Sequence, residues 1–133
     1  MNDTIFGKII RGEIPAAKVY DDEQFLAFLD INPLSKGHAL LVPKMQYRWM
    51  QDVPDELIET IFIRAKELMI VLKNALDCDY VQLMVVGNEV PHFHIHLIPR
   101  MLDDNIHGSH VTYEEGELNA VAQKITARTE QEK

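Results

Sequence analysis

A single cysteine, Cys78, occurs in the 133-residue chain. No intramolecular disulfide framework is therefore available, and a reducing compartment is expected. Long apolar runs are missing too: none approaches the ~18 residues of a membrane-spanning helix. Met1-Asn2-Asp3-Thr4 shows no basic-then-apolar leader, so the sequence reads as cytoplasmic, with no membrane partner. Positive charge is scarce: thirteen Lys and Arg face twenty-one Asp and Glu, a net charge of −8. That balance argues against nucleic-acid backbone or anionic lipid as a partner. It leaves room for a small phosphate-bearing ligand, for which a few donors in a local pocket suffice. Repeats, low-complexity tracts and linkers are also absent, so residues 1–133 are expected to form one domain.

What is present suits a globule. Apolar residues make up 47% and charged ones 26%, and a chain this long can bury roughly two thirds of its unfolded surface. Asp3 or Thr4 can cap a short helix striped by Ile5, Phe6, Ile9 and Ile10, which Gly12 ends. Lys18 to Asp21 and Phe25 to Asp30 read as strands about an acidic turn, and His38 to Val42 as a third strand closed by Pro43. Asp52 is placed to cap a long helix with Pro54 in its first turn, striped by Leu57, Ile61, Ala65, Leu68, Leu72 and Leu76. Its Leu68-Met69-Ile70-Val71-Leu72 segment is apolar all round, more than one sheet face can cover. Tyr80 to Val86 and His92 to Ile98 read as two more strands. Thr112 with Glu115 forms a capping-box pattern opening a helix over about 113–128, and Thr129 to Lys133 read as a frayed end. The expected fold is α+β: a five-stranded antiparallel sheet, with one long and one or two short helices on one side.

The chemistry concentrates in His92-Phe93-His94-Ile95-His96-Leu97-Ile98. Side chains alternate along a strand, so the three histidines share one face while Phe93, Ile95 and Leu97 take the other. Three readings stand at this point. The face is merely solvated; or two imidazoles at i and i+2 hold a zinc ion; or the site is metal-free, with one imidazole attacking phosphorus and its neighbours positioning phosphate. Imidazole suits the last because it is mostly neutral at pH 7 yet nucleophilic.

Two further blocks bear on the choice. Thr4-Ile5-Phe6-Gly7-Lys8-Ile9-Ile10-Arg11-Gly12-Glu13-Ile14-Pro15-Ala16 resembles the opening of the histidine triad (HIT) family, in particular its nucleotide-binding (Hint) branch. Phe28-Leu29-Asp30-Ile31-Asn32-Pro33 and Gly37-His38-Ala39-Leu40-Leu41-Val42-Pro43-Lys44 resemble its next block, and the histidine run resembles its His-x-His-x-His-x-x signature. The likeness covers roughly residues 3–110. It implies the HIT-like fold and a homodimer that transfers or hydrolyses nucleoside monophosphate groups without a metal or other cofactor. It makes His94 the nucleophile on the α-phosphorus and His96 a donor to a phosphate oxygen, with His92 and His38 orienting His94 and relaying protons. Asp30 matches the position that accepts ribose hydroxyls. Ile5, Phe6, Ile9, Phe28, Ile31 and Leu40 match the apolar positions lining the base pocket; periodicity alone makes each plain core.

The likeness has two departures. Many members carry a longer loop ending in Gly-Gln-Ser/Thr-Val before the triad, whereas this chain has Val86-Gly87-Asn88-Glu89-Val90-Pro91. Asn88 can stand in for Gln beside Val90, but Glu89 occupies the hydroxyl position, and a carboxylate beside a phosphate is repulsive. Zinc-containing members carry Cys-x-x-Cys where this chain has Thr4-Ile5-Phe6-Gly7, so no structural zinc is expected. Lys44 and Arg100 read as solvated strand ends, Trp49 and Met50 as packing residues, and Cys78 as a small buried hydrophobe. The sequence thus points to hydrolysis of a purine nucleoside phosphoramidate, with AMP or its amine and phosphate conjugates as ligands. The alternatives are a dinucleoside polyphosphate hydrolase, a nucleotide-binding module with little turnover, and a zinc protein using the histidine strand.

Overall fold

Two of the strands, Phe25–Leu29 (β2) and Ala39–Pro43 (β3), are apolar at nearly every position and buried along their whole length. Strands of that kind need cover on both faces, and this requirement organises the molecule. The computed structural model describes residues 4–104 and 109–131. Lys18–Asp21 (β1), Tyr80–Met84 (β4) and Ile95–Arg100 (β5) complete a sheet in the order β1-β2-β3-β5-β4, antiparallel at every pairing. The fold is α+β, as expected. No helix of the described residues is long and apolar enough to cross a membrane.

One face carries Phe25, Ala27, Leu29, Ala39, Leu41, Ile95 and Leu97. Against it pack the long helix α2 (Asp55–Leu76), through Ile61, Ala65, Leu68, Val71 and Leu72, and α3 (Glu117–Gln131), through Ala122 and Ile125. The other face carries Leu26, Phe28, Leu40 and Val42 and is covered by α1 (Ile5–Ile10) through Phe6 and Ile9. The expectation of helices on one side is therefore corrected. Alternation along β2 and β3 sends an apolar residue to each face, and only α1 is there to cover the second.

Local signals were overruled in several places. Thr4 does cap α1, accepting a hydrogen bond from the Gly7 amide at 3.0 Å; Asp3 lies outside the described residues. Asp52 is not the cap of α2: it ends a short 3-10 turn (Met50–Asp52), and Pro54 takes the N-cap position. Thr112 and Glu115 do not form a capping box. The chain turns at Gly116 (φ +80°) and α3 starts at Glu117, whose carboxylate accepts from the Glu114 amide at 2.9 Å. The helix then runs on to Gln131, beyond the expected end near 128 and into the segment read as frayed. Thr129 there donates back to the Ile125 carbonyl at 3.1 Å. β4 stops at Met84, not Val86, and β5 begins at Ile95, not His92. The amides of residues 92 and 93 are engaged outside the ladder, by the Val90 carbonyl (2.8 Å) and the Tyr47 carbonyl (2.5 Å).

Gly37 shows why the turn into β3 takes this form. Its φ of +96° is costly for any residue with a side chain, and a Cβ there would lie 2.3 Å from Leu76 Cδ1. The tight fit holds the turn just before His38 against Leu76 at the end of α2.

Candidate active site

The face covered by α1 is also the face that receives histidines. Across the sheet, Phe28 pairs with Leu40, Leu40 with His96 and His96 with Met84, a row lying on one side. Residues 91–94 approach this row as irregular chain, which brings the His94 ring to 4.8 Å from that of His96 and 4.9 Å from that of Phe6, edge to face in both cases. A cleft of about 390 Å³ opens here, within the range of small-molecule sites. It is lined by Phe6, Leu40 and Val90, by Asp30 and Asn32, by the Gly87-Asn88-Glu89 turn, and by His38, His94 and His96.

Backbone groups dictate which nitrogen of each imidazole carries the proton. The Leu34 amide can only donate, and it donates to His38 Nδ1 at 3.0 Å. His38 therefore holds its proton on Nε2, which lies 2.9 Å from His96 Nδ1 and donates to it. That leaves His96 with its own proton on Nε2. The His92 carbonyl can only accept, and it lies 2.6 Å from His94 Nδ1. His94 is thus protonated at Nδ1 and keeps a lone pair at Nε2. His94 is only 6% exposed, yet its ring lines the cleft. His92 donates from Nε2 to the Pro43 carbonyl at 2.8 Å, and its buried Nδ1 has no hydrogen-bond partner.

Burial holds the cluster neutral. It pushes the His38 imidazolium pKa down to about 4, with His110 and His94 adding to the effect. It does the same to His96, again to about 4, with Asp30 opposing. His92 and His94 are also held below the ordinary value, chiefly by burial; the charges of Asp30 and Glu89 pull His94 partly back. Each ring is therefore uncharged at pH 7. Among the described lining residues there is no lysine or arginine, whereas Asp30 and Glu89 each bring a carboxylate.

The other expected site residues are distributed as follows. Asp30 follows β2 at the cleft, with Oδ1 accepting from the Asn32 amide at 2.9 Å and Oδ2 3.9 Å from His38 Nε2. Ile9 and Phe28 stand behind the cleft wall, where Phe28 buttresses Phe6 edge-on at 5.4 Å. Ile5 is 47% and Ile31 77% exposed, and neither is among the lining residues. His38 touches His96 rather than His94, and His92 positions His94 through its carbonyl rather than its ring. Lys44 pairs with Asp21 at 2.6 Å and Arg100 with Asp104 at 2.7 Å, both away from the cleft. Trp49 lies against Gly87, whose φ is +101°, and so supports the turn that carries Asn88 and Glu89. Cys78 is buried.

Sequence reasoning missed His110. It reaches the cleft rim because its Nδ1 donates to the Asn32 carbonyl at 2.7 Å and the Val111 amide donates to the Pro33 carbonyl at 2.8 Å. No local pattern announces those long-range bonds. Tyr113 arrives the same way, its hydroxyl accepting from the Gly37 amide at 2.8 Å. As for metals, Asp30, His38 and His96 can bring three ligand atoms within 4.8 Å of one another. His38 Nε2 already donates to His96 Nδ1, however, so a cation seated there would have to displace that proton.

Fold and site together define an α+β domain with a neutral imidazole cluster in a two-sided sheet. Residues 11–102 match the HIT domain family, and the chain belongs to it. It is 38% identical over 104 residues to the adenylylsulfatase HINT3 of Arabidopsis thaliana, covering 74% of this chain and 53% of that one. It is 40% identical over 101 residues to the adenosine 5′-monophosphoramidase HNT1 of Saccharomyces cerevisiae, covering 72% and 61%. This chain thus spans between half and two thirds of both. A crystal structure of a Hit-like protein from Bartonella henselae superposes with a TM-score of 0.87 at 32% identity, covering 96% of this chain and 97% of that one.

Proposed function

We propose that the protein hydrolyses purine nucleoside 5′-phosphoramidates through a nucleotidyl-histidine intermediate on His94. The observation that carries this reading is the fixed tautomer of His94: Nδ1–H held by the His92 carbonyl, Nε2 free in a ring that lines the cleft. The Nε2 lone pair attacks the α-phosphorus and the bond from phosphorus to the leaving nitrogen breaks, its electron pair staying with that nitrogen, which takes up a proton from solvent water. As the new bond forms, the ring becomes cationic, and the His92 carbonyl oxygen stabilises that charge. Water then attacks phosphorus and loses a proton, and the nitrogen–phosphorus bond to His94 breaks with its pair returning to Nε2. His96 Nε2–H donates to a non-bridging oxygen in both steps. Phe6, Leu40 and Val90 supply apolar surface for the base, and Asp30 accepts from the ribose. Relatives named for hydrolysis at adenylyl groups support the reading.

The test compares adenosine 5′-phosphoramidate with diadenosine polyphosphate under identical conditions, with and without a chelator. The phosphoramidate is expected to be the better substrate, and its rate to be unchanged by chelation, because His94 must keep a free nitrogen. Loss of activity on chelation, restored by a full equivalent of zinc per chain, would favour the metal reading.

Asp30→Ala is expected to weaken AMP binding about ten- to a hundredfold, since hydrogen bonds to a charged acceptor are worth about 1.5–3 kcal/mol. The 2′,3′-dideoxy nucleotide is expected to bind mutant and wild type almost equally by calorimetry. A mutant that still strongly prefers the ribonucleotide would give Asp30 another role.

The proposal includes a homodimer. α2 leaves Ile63 55% and Ile70 45% exposed, and β4, a sheet edge, leaves Tyr80 and Leu83 partly bare. Exposed apolar residues of this kind mark interfaces. Sedimentation equilibrium should give twice the chain mass at micromolar concentration, and a monomer there would dismiss the dimer.

A further inference from the structure

We infer that the protein selects leaving groups bearing a positive charge, and that Glu89 is the residue that selects them. The inference rests on the phosphoramidase reading and narrows its substrate class. Three observations carry it. Glu89 lines the cleft on the Gly87–Val90 turn, exposed, and forms no ion pair among the described residues. Asp30, which also lines the cleft, carries a carboxylate too, and no lysine or arginine is among the described lining residues. The buried imidazoles of His38, His94 and His96, held neutral by burial, offer no cation in compensation.

A substrate brings one negative charge on its α-phosphate into this field. A leaving group that adds further negative charge, such as a polyphosphate or a carboxylate, meets two unopposed carboxylates. A leaving group with an ammonium a few ångströms beyond the scissile bond is attracted by both and cancels the phosphate charge. Glu89 and Asp30 line the same cleft as His94 and His96. The two carboxylates therefore border the reacting centre. Trp49 against Gly87 holds the turn that presents Glu89, so the carboxylate is tethered near the cleft.

The experiment uses three adenosine 5′-phosphoramidates of matched length, made from 1,3-diaminopropane (cationic), propylamine (neutral) and β-alanine (anionic). In the wild type, kcat/KM should fall in that order by about three- to tenfold per step at low salt, and the spread should shrink above ~0.3 M salt as the charges are screened. Glu89→Gln should bring the cationic-to-neutral ratio down at least threefold, and Glu89→Lys should invert it. Intrinsic differences in leaving-group reactivity cancel when mutant and wild-type ratios are compared. AMP, whose phosphate carries the charge without a leaving group, should inhibit Glu89→Gln at lower concentration than wild type. Equal hydrolysis of all three compounds through a His94 adduct, or an unaltered ratio in Glu89→Gln, would overturn the selectivity and leave the phosphoramidase reading intact. No turnover and no adduct with any of them would overturn both.

Discussion

Replacing His94 with Asn or Gly is expected to lower kcat by about a thousandfold or more while AMP binding changes only a few-fold. The asymmetry follows from where the contacts lie. In the proposed site the nucleotide is held by Asp30, just after β2, and by Phe6, Leu40 and Val90, all of which line the cleft. Phe6 is held by Phe28 from behind as well as meeting His94 edge-on. The chemical step depends wholly on one lone pair, and neither Asn nor Gly offers a nucleophile that reaches phosphorus. Rapid quench of the wild type during turnover should trap a nucleotide on His94, labile in acid and stable in base as a nitrogen–phosphorus bond requires. A fully active His94→Asn protein, or an adduct mapped to His92 or His96, would show that the nucleophile is another imidazole. Unchanged thermal melting of the variant distinguishes loss of chemistry from loss of fold, since His94 is largely buried.

The histidine run illustrates what a sequence carries and what it withholds. Its period of two placed Phe93, Ile95 and Leu97 in the core beneath the helices, and they are there. It could not show that the ladder begins only at Ile95, because the competing partners of the preceding segment, the Val90 and Tyr47 carbonyls, are supplied by turns. That irregularity matters chemically: it frees the His92 carbonyl to fix the His94 tautomer. The two-sided core was legible in principle, since β2 and β3 are apolar without alternation, the mark of strands covered on both faces. The caps at Asp52 and Thr112 misled for a common reason: a good capping residue marks where a helix can start, and Pro54 and the Gly116 turn decided where each did. His110 was beyond reach, because only the closed fold brings its ring to the Asn32 carbonyl.

The same hydrogen-bond logic yields the second large effect, in a chain of donors beginning at the backbone. The Leu34 amide fixes the His38 tautomer and His38 fixes that of His96, which in the proposed mechanism presents its proton to the phosphate. His96→Ala removes the donor and is expected to reduce kcat by about a hundred- to a thousandfold, the usual cost of losing one donor to a developing anion. His38→Ala removes no group that touches substrate, yet leaves His96 Nδ1 with nothing donating to it. The His96 proton is then free to move to Nδ1, which turns a lone pair toward the phosphate where a donor belongs. His38→Ala should therefore also lower kcat, by about ten- to a hundredfold, with KM little altered. His38→Gln, whose amide can donate to the same nitrogen, should recover part of the loss, which a purely packing role for the ring would not predict. The decisive measurement is the double mutant. If His38 acts through His96, then adding His38→Ala to His96→Ala costs nothing further, whereas two independent roles would multiply. A double mutant slower than His96→Ala by the full His38→Ala factor would break the chain at the 2.9 Å bond between the two rings and leave the His96 donor without its positioning partner.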